Sequence, residues 1–407
     1  MLIPHILKTF KNLETNPLSS DRSKKSSRLN KDKILLVGMA DSPHFQKWLR
    51  ILQTEFPEKK FLVFPSDRPR LTKAKLNELK QFKKSIRIFK LFPIEKLNFI
   101  SYYVLDIVFG HKWRAYFLAR FILMHKPAIN HFHEMQHGAY IYNLIVNYRK
   151  IPNNSRNIIS TWGSDLTLYS WVDKHKHQIQ SCLSWANILT AEKEIEIQDA
   201  KRLGFKSEFR APIYITCGEN FSSKPQFIKP STRRLILVKG HQLNTGRALN
   251  ALFAISQMDK ELEGFEVIVY SAPESVQIQV DILRNQNKIN IKTLEKVSNN
   301  EMRNLFQKAR VAISLAVSDG LPGVLVEAMQ AGALPIQSEN SAADKFIVHG
   351  KNGFIVNPWD LNLIRESIRK AITDDTLVDL ASELNFKVLQ QKYNYDDGIS
   401  KLRALYL

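Results

Sequence analysis

The chain has 407 residues, 44% of them hydrophobic, with 59 Lys and Arg against 39 Asp and Glu. The apolar share is ample for globular cores, the length fits two or three domains, and the formal charge of +20 calls for an anionic partner: lipid, nucleic acid or a phosphorylated substrate. Two cysteines, Cys182 and Cys217, exclude a disulfide framework and fit a reducing compartment.

Residues 1–13 place Leu2, Ile3, Ile6, Leu7 and Phe10 near one helical face, a weak amphipathic anchor or a frayed end. No secretory signal is legible there, and residues 14–32, rich in Ser, Asn and Lys, read as a linker. Ile34 to Gly38 is a buried strand, Ser42-Pro43-His44 opens a helix, and Phe61 to Phe64 is the next strand. Neither loop carries G-x-G-x-x-G, so a dinucleotide cofactor is not indicated.

Residues 71–126 are strongly basic, with Lys96, Lys112, Arg114 and Arg120 among aromatics such as Phe99, Tyr103 and Trp113. Rings and cations interleaved in this way suit an anionic membrane surface; a helical pair with one basic face in water is the plainer reading. No nucleic-acid motif accompanies the charge, so nucleic acid is not expected as a partner. The best apolar run, 97–109, falls short of the roughly 18 residues of a membrane span and contains Asp106.

A strand from Ala128 to Phe132 leads directly into His133-Glu134-Met135-Gln136-His137. This matches the zinc pattern H-E-x-x-H, which needs both His on one turn of a longer helix. Asn157 to Thr161 is a strand ending in Trp162-Gly163-Ser164-Asp165. Trp185 to Leu189 is expected as a strand, with Thr190 capping a helix that carries Glu192 and Glu194 in its first turn and ends at Gly204.

Residues 221–232 carry two prolines and four Ser or Thr and mark a domain boundary; the strand–helix alternation then restarts at Leu235–Val238, followed by Lys239-Gly240. Val311 to Leu315 is a buried strand, Ser318-Asp319-Gly320 a turn, Pro322 suits a first helical position, Gly332 the residue past the helix, and Leu334 to Gln337 the next strand. This is one parallel βαβ step whose loop lies where open sheets bind ligands. Gly320 and Gly323 admit a ligand to the backbone, and the helix start favours an anion.

The segment SDGLPGVLVEAMQAGALPIQS resembles the donor site of family 4 glycosyltransferases of GT-B fold, with Asp319 and Glu327 as the acid pair; the family usually has Glu first. Pro127 to Glu134 is similar to its PD.vH.HE segment. Trp162 to Asp165 is similar to its HG.D loop, with Trp162 in place of the usual His. The resemblance implies an α/β chain of two Rossmann-like domains facing a cleft. Residues 1–32 would be an extension, 33–225 the acceptor domain, 226–394 the nucleotide-sugar domain, and 395–407 a helix crossing back. It implies a retaining sugar transfer from a nucleotide-sugar to a sugar or lipid-linked acceptor, with no metal or other cofactor. The expected setting is cell-surface polysaccharide assembly on the inner face of the plasma membrane.

By the same resemblance, Lys239, Gly240 and Arg247 meet the donor diphosphate together with the backbone of Gly320, Leu321, Pro322 and Gly323. Glu327 holds the ribose, and Asp319, His133 and Asp165 lie near the reacting sugars. Ser42, His44, Glu134 and Trp162 are the acceptor-side candidates. The alternatives are a zinc hydrolase built on His133, Glu134 and His137, and a basic scaffold without catalysis.

Overall fold

A computed structural model describes residues 29–67, 85–92, 94–148, 154–210, 212–214, 217–219, 221 and 228–407. The amphipathic stretch 1–13, most of the linker and residues 71–84 of the basic region lie outside the described residues. In chain order the elements are β1 (Asn30–Gly38), α1 (Pro43–Glu55), β2 (Lys60–Pro65), β3 (Ile86–Ile88), α2 (Glu95–Phe109), α3 (Lys112–His125) and β4 (Pro127–His133). A π-helical turn (Glu134–Ala139) runs into α4 (Tyr140–Tyr148), followed by β5 (Arg156–Ser160), α5 (Asp173–Trp185), β6 (Ile188–Thr190), α6 (Ile195–Arg202) and β7 (Glu208–Arg210). Next come β8 (Leu235–Lys239), α7 (Ala248–Ile255), β9 (Glu266–Tyr270), α8 (Glu274–Asn285), β10 (Ile291–Leu294), α9 (Asn299–Lys308), β11 (Ala309–Ser314), α10 (Gly323–Ala331), β12 (Leu334–Ser338) and β13 (Phe354–Val356). The chain closes with α11 (Leu361–Thr373), α12 (Asp375–Lys392) and α13 (Tyr395–Tyr406).

The strands form two sheets, ordered β3-β2-β1-β4-β5-β6-β7 and β10-β9-β8-β11-β12-β13, with parallel pairing of β3-β2-β1-β4 and β6-β7 in the first and throughout the second. Parallel strands need helical crossovers and are covered on both faces, which is why β1, β8 and β11 read as apolar runs. In the second sheet the order reverses between β8 and β11, so the loops after these two strands flank a switch point. In the first sheet the reversal falls between β1 and β4.

The chain packs as two compact units. One comprises residues through Ser42 and Phe56–Ile158; the other comprises Pro43–Glu55 and Ile159–Leu407. In the first, β1 and β2 are in register from Lys33↔Lys60 to Gly38↔Pro65 and bury Leu35, Leu36, Phe61 and Phe64. In the second, one face of the six-stranded sheet packs with α7, α8 and α11 around Val238, Leu252, Val267, Ile313, Ile336 and Ile368. The other face packs α9 and α10 through Phe306, Val324 and Ala328. Within this unit α13 is tied to α1: Trp48 Nε1 donates to Tyr406 Oη at 3.1 Å, and Arg403 Nη2 pairs with Glu55 at 2.6 Å.

The β11–α10–β12 step forms as its sequence indicates, with Val311 opposite Leu334 and Gly332 left-handed at φ 76° past the helix. Pro322 is extended at ψ 125° and serves as the N-cap, so the helix begins one residue later, at Gly323. Two expectations are corrected. Trp185 ends α5 and is not in a strand, and Thr190 lies inside β6, its hydroxyl 2.7 Å from that of Ser160. The next helix starts only at Ile195, because Glu192 and Lys193 are committed to contacts outside any helical turn.

Among the described residues no helix is long and apolar enough to cross a membrane. Cys182 and Cys217 are both buried free thiols.

Candidate active site

The second unit gathers its chemistry where the loops after β5, β8 and β11 meet the start of α1. The Trp162–Asp165 loop is the first component. Asp165 is 3% exposed, and its Oδ2 accepts the Trp162 backbone N–H at 2.5 Å, closing the loop on itself. Gly163 has φ +94°, and a Cβ there would stand 2.1 Å from the Gly320 nitrogen. Backbone therefore meets backbone between this loop and the Ser318–Leu321 loop. The Gly163 carbonyl accepts from Ser318 Oγ at 3.1 Å and from Lys193 Nζ at 2.9 Å.

Sequence reasoning missed the layer beneath. Glu192, Lys193 and Glu196 follow β6 and are almost wholly buried. Glu192 Oε2 accepts the Leu321 backbone N–H at 2.8 Å. Burial pushes the Glu196 carboxyl up to about 7, Lys193 opposing that rise. Burial likewise lowers the Lys193 ammonium, against the pull of Glu196 and Asp319. The available signal was local: charges placed directly after a buried strand, where solvated residues would break the core.

Lys239 ends β8, and its charge acts on three neighbours. It lowers His44 and His241 and favours the ionised form of Glu327. Asp319 pulls His44 and His241 the other way, while the protein around each imidazole holds both below the ordinary range. Lys239, Asp319, His44 and His241 thus share one electrostatic neighbourhood, of which His241 was not anticipated. Glu327 is exposed on α10; desolvation raises its carboxyl against Lys239. The His44 ring lies edge-on to Trp162, centroids 6.2 Å apart.

Other expected residues have structural partners. Gly240 is needed for packing: a Cβ there would fall 2.8 Å from Ala272 Cα and 2.9 Å from the Tyr270 carbonyl oxygen. Arg247 stacks its guanidinium on Trp359 at 4.8 Å and donates to the Asn244 and Gly246 carbonyls. Arg233, two residues before β8 and not among the expected donor residues, is also buried, donating to the carbonyls of Ala309 and Ala331. Leu321 and Gly320 both have their N–H groups engaged, by Glu192 and by Asp319 Oδ1. Gly323, at the start of α10, faces open space.

In the first unit Ser42 follows β1, with its N–H on the Met39 carbonyl. His133 ends β4, is fully buried, and is held down to about 3 by that burial. Glu134 begins the π-helical turn at φ 66°, with Oε2 3.7 Å from His137 Nε2. His133 lies in the strand and His137 in the π-turn, so the H-E-x-x-H spacing does not put two ligands on one turn of α-helix. Among the described residues no three His, Cys, Asp or Glu form a group fit to hold a metal.

Residues 220–386 match the glycosyl transferases group 1 family. No curated protein matches the chain. Three similar solved structures cover nearly the whole chain. HepE from Anabaena, in complex with UDP-glucose, is 12% identical over 92% of this chain and 99% of its own, at a TM-score of 0.65. Sucrose-phosphate synthase from Thermosynechococcus elongatus is 12% identical over 93% and 98%, at 0.70. A glycosyltransferase from Rickettsia africae is 16% identical over 93% and 98%, at 0.64. Residues 220–386 thus carry a group 1 glycosyl transferase domain, and the two parallel sheets of this order share the GT-B fold of these solved structures.

Proposed function

We propose that the enzyme moves a sugar from a nucleotide-sugar to an acceptor hydroxyl with retention, as family 4 members do, in the assembly of a cell-surface polysaccharide or glycolipid. One observation carries the reading: Lys239, the last residue of β8, and Asp319, in the loop after β11, flank the β8–β11 switch point and act on the same two imidazoles, His44 and His241. A cation and a carboxylate at one switch point suit a donor whose diphosphate is anionic and whose sugar offers hydroxyl donors. The bond from the anomeric carbon to the diphosphate oxygen breaks, a bond to the acceptor oxygen forms on the same face, and the acceptor proton leaves on the diphosphate. Lys239 stabilises the charge that develops on the departing group. Glu327 is assigned to the ribose and Asp319 to the donor sugar. Arg247 would have to leave Trp359 to help.

The transfer is proposed to need no divalent metal, Lys239 taking that task. Turnover that survives EDTA supports this; turnover abolished by EDTA and restored by magnesium or manganese refutes it. The first test is a thermal-shift screen of UDP, GDP, ADP and CMP, where a ligand at about 100 times its Kd adds roughly 2.7 kcal/mol. A shift with one nucleoside diphosphate is expected; no shift with any refutes the reading.

Membrane association is part of the proposal. Leu97, Ile100, Val104 and Ile107 recur on one face of α2, and all are exposed, Ile107 at 64%. Lys96, Lys112 and Arg120 are exposed on and beside that helix. An apolar face rimmed by cations suits an interfacial helix on anionic lipid at the inner face of the plasma membrane.

A further inference from the structure

The first unit holds a cleft of about 690 Å³ that none of the assignments above uses. That size lies within the about 300–1,000 Å³ of small-molecule sites. Its floor is built from the ends of β1 and β2. The register Gly38↔Pro65 brings Asp41, three residues past β1, beside Ser66 and Asp67, which directly follow β2. One wall is α2, which contributes Phe99, Tyr103 and Asp106.

The charges in the cleft are not equally available. Arg114 is 1% exposed and bound bidentately by Asp106, Nη2 to Oδ2 at 2.7 Å and to Oδ1 at 2.9 Å. Its Nη1 donates to the Asp67 carbonyl at 2.6 Å. The guanidinium is therefore spoken for and offers no clamp to an incoming anion. The two remaining carboxylates, Asp41 and Asp67, are hydrogen-bonded to each other and repel negative charge. Ser66 is 1% exposed, and its Oγ has no hydrogen-bond partner among the described residues; the same holds for the buried Oδ1 of Asp67. Buried polar atoms without partners are costly, and here they lie at a cleft that a ligand can enter. Acceptor oxygens at the floor need donors from the ligand. The rings of Phe99 and Tyr103 offer an apolar face beside them.

We propose that this cleft binds an uncharged sugar, the terminal unit of the acceptor, through hydroxyl donors to Asp41, Asp67 and Ser66 and through its ring face to Phe99 and Tyr103. It excludes sugars bearing a carboxylate or phosphate. The assignment as acceptor rests on the glycosyltransferase reading, while binding itself does not. The neighbouring face of α2, one position on in sequence, carries Ile100, Val104 and Ile107, so the helix proposed to touch lipid also walls the cleft.

The experiment is saturation-transfer NMR with methyl glycosides of glucose, galactose, mannose and N-acetylglucosamine, against glucuronate and glucose 6-phosphate. Saturable binding of at least one neutral glycoside is expected, weakened at least about tenfold by Ser66→Ala and Asp67→Leu. The nucleoside-diphosphate thermal shift of both variants should be unchanged. Binding of glucose 6-phosphate or glucuronate as tight as any neutral glycoside overturns the proposal. So does saturable binding of none, or neutral binding that both variants retain. If Asp67→Leu does not melt cooperatively, Ser66→Ala and the surface change Tyr103→Leu decide in its place. Absence of any nucleotide shift in the parent protein would instead sink the glycosyltransferase reading and leave the sugar result standing.

Discussion

The Glu192 carboxylate accepts the Leu321 backbone N–H at 2.8 Å, across 129 residues of chain. Glu192 is 6% exposed, and a Cβ on Gly320 would lie 1.9 Å from its Oε2. The loop before α10 is therefore shaped by a buried side chain from the loop after β6. The same loop rests on Gly163 through backbone contact, so its position depends on two residues that make no part of the donor motif.

Gly163→Ala should show this dependence. At φ +94° any side chain is strained, by about 1 to 2 kcal/mol, and here the added carbon would also meet the Gly320 nitrogen at 2.1 Å. Gly204, at φ +98° with nothing within 4 Å of a new Cβ, is the control for strain alone. Denaturant unfolding should rank Gly163→Ala well below Gly204→Ala, and nucleotide binding should fall only in the former. Equal losses would mean that the loop contact is slack.

The donor carboxylates should separate by readout. A hydrogen bond to a charged group contributes about 1.5–3 kcal/mol, so Glu327→Gln should weaken nucleoside-diphosphate binding about tenfold to a hundredfold. Asp319→Asn, nearer the expected sugar, should leave that affinity intact and cut turnover. Calorimetric titration of both variants checks this, with melting curves to verify folding. Loss of affinity in Asp319→Asn alone would reverse the two assignments. No change in either would put the nucleotide elsewhere.

What the sequence made legible follows from range. The β11–α10–β12 step could be read because its signals are local: an apolar run, Pro322 before the helix, and Gly332 after it. The start of α6 could not, because Glu192 and Lys193 look like first-turn residues until Leu321 and Gly163 supply partners from elsewhere. Lys239 and Asp319 were found by resemblance, but Arg247's stacking on Trp359 and Gly240's fit against Ala272 depend on neighbours far along the chain. Asp41 and Asp67 gave no signal, since only the β1–β2 register brings them together.

That aspartate pair yields a pH prediction. Burial first, then the charge and hydrogen bond of Asp41, push the Asp67 carboxyl up to about 7, against Arg114. In the unfolded chain the group titrates near 3.9, so between about pH 4 and pH 7 the native state holds a proton that the unfolded state lacks, and stability falls as pH rises through that window. His111 and His137, also at the cleft, are held below the ordinary range, chiefly by burial, and act oppositely as pH falls. Comparing Asp67→Asn with the parent cancels their part. The amide still donates to Asp41 and carries no charge to bury, so the variant's gain in Tm should be larger at pH 8 than at pH 5. A gain independent of pH would show that Asp67 ionises freely in the native state.

Membrane binding through α2 separates into apolar and electrostatic parts. Ile100 and Ile107 are exposed, at 46% and 64%, so replacing both by Ser removes little from the core and should leave the melting temperature nearly unchanged. If α2 enters the interface, each buried methylene contributes about 0.8 kcal/mol, and the double variant should lose most of its co-sedimentation with anionic vesicles. Each cation beside the surface adds about 1 kcal/mol at low salt, an attraction screened over about 8 Å at physiological ionic strength. Lys96→Gln with Lys112→Gln should therefore weaken binding most in dilute buffer and hardly at all in high salt. The apolar variant should lose binding at every ionic strength. Vesicles of neutral lipid bound as tightly as anionic ones would remove the electrostatic part. Undiminished binding of the Ser variant would remove α2 from the interface and leave the charge of the chain to act through another surface.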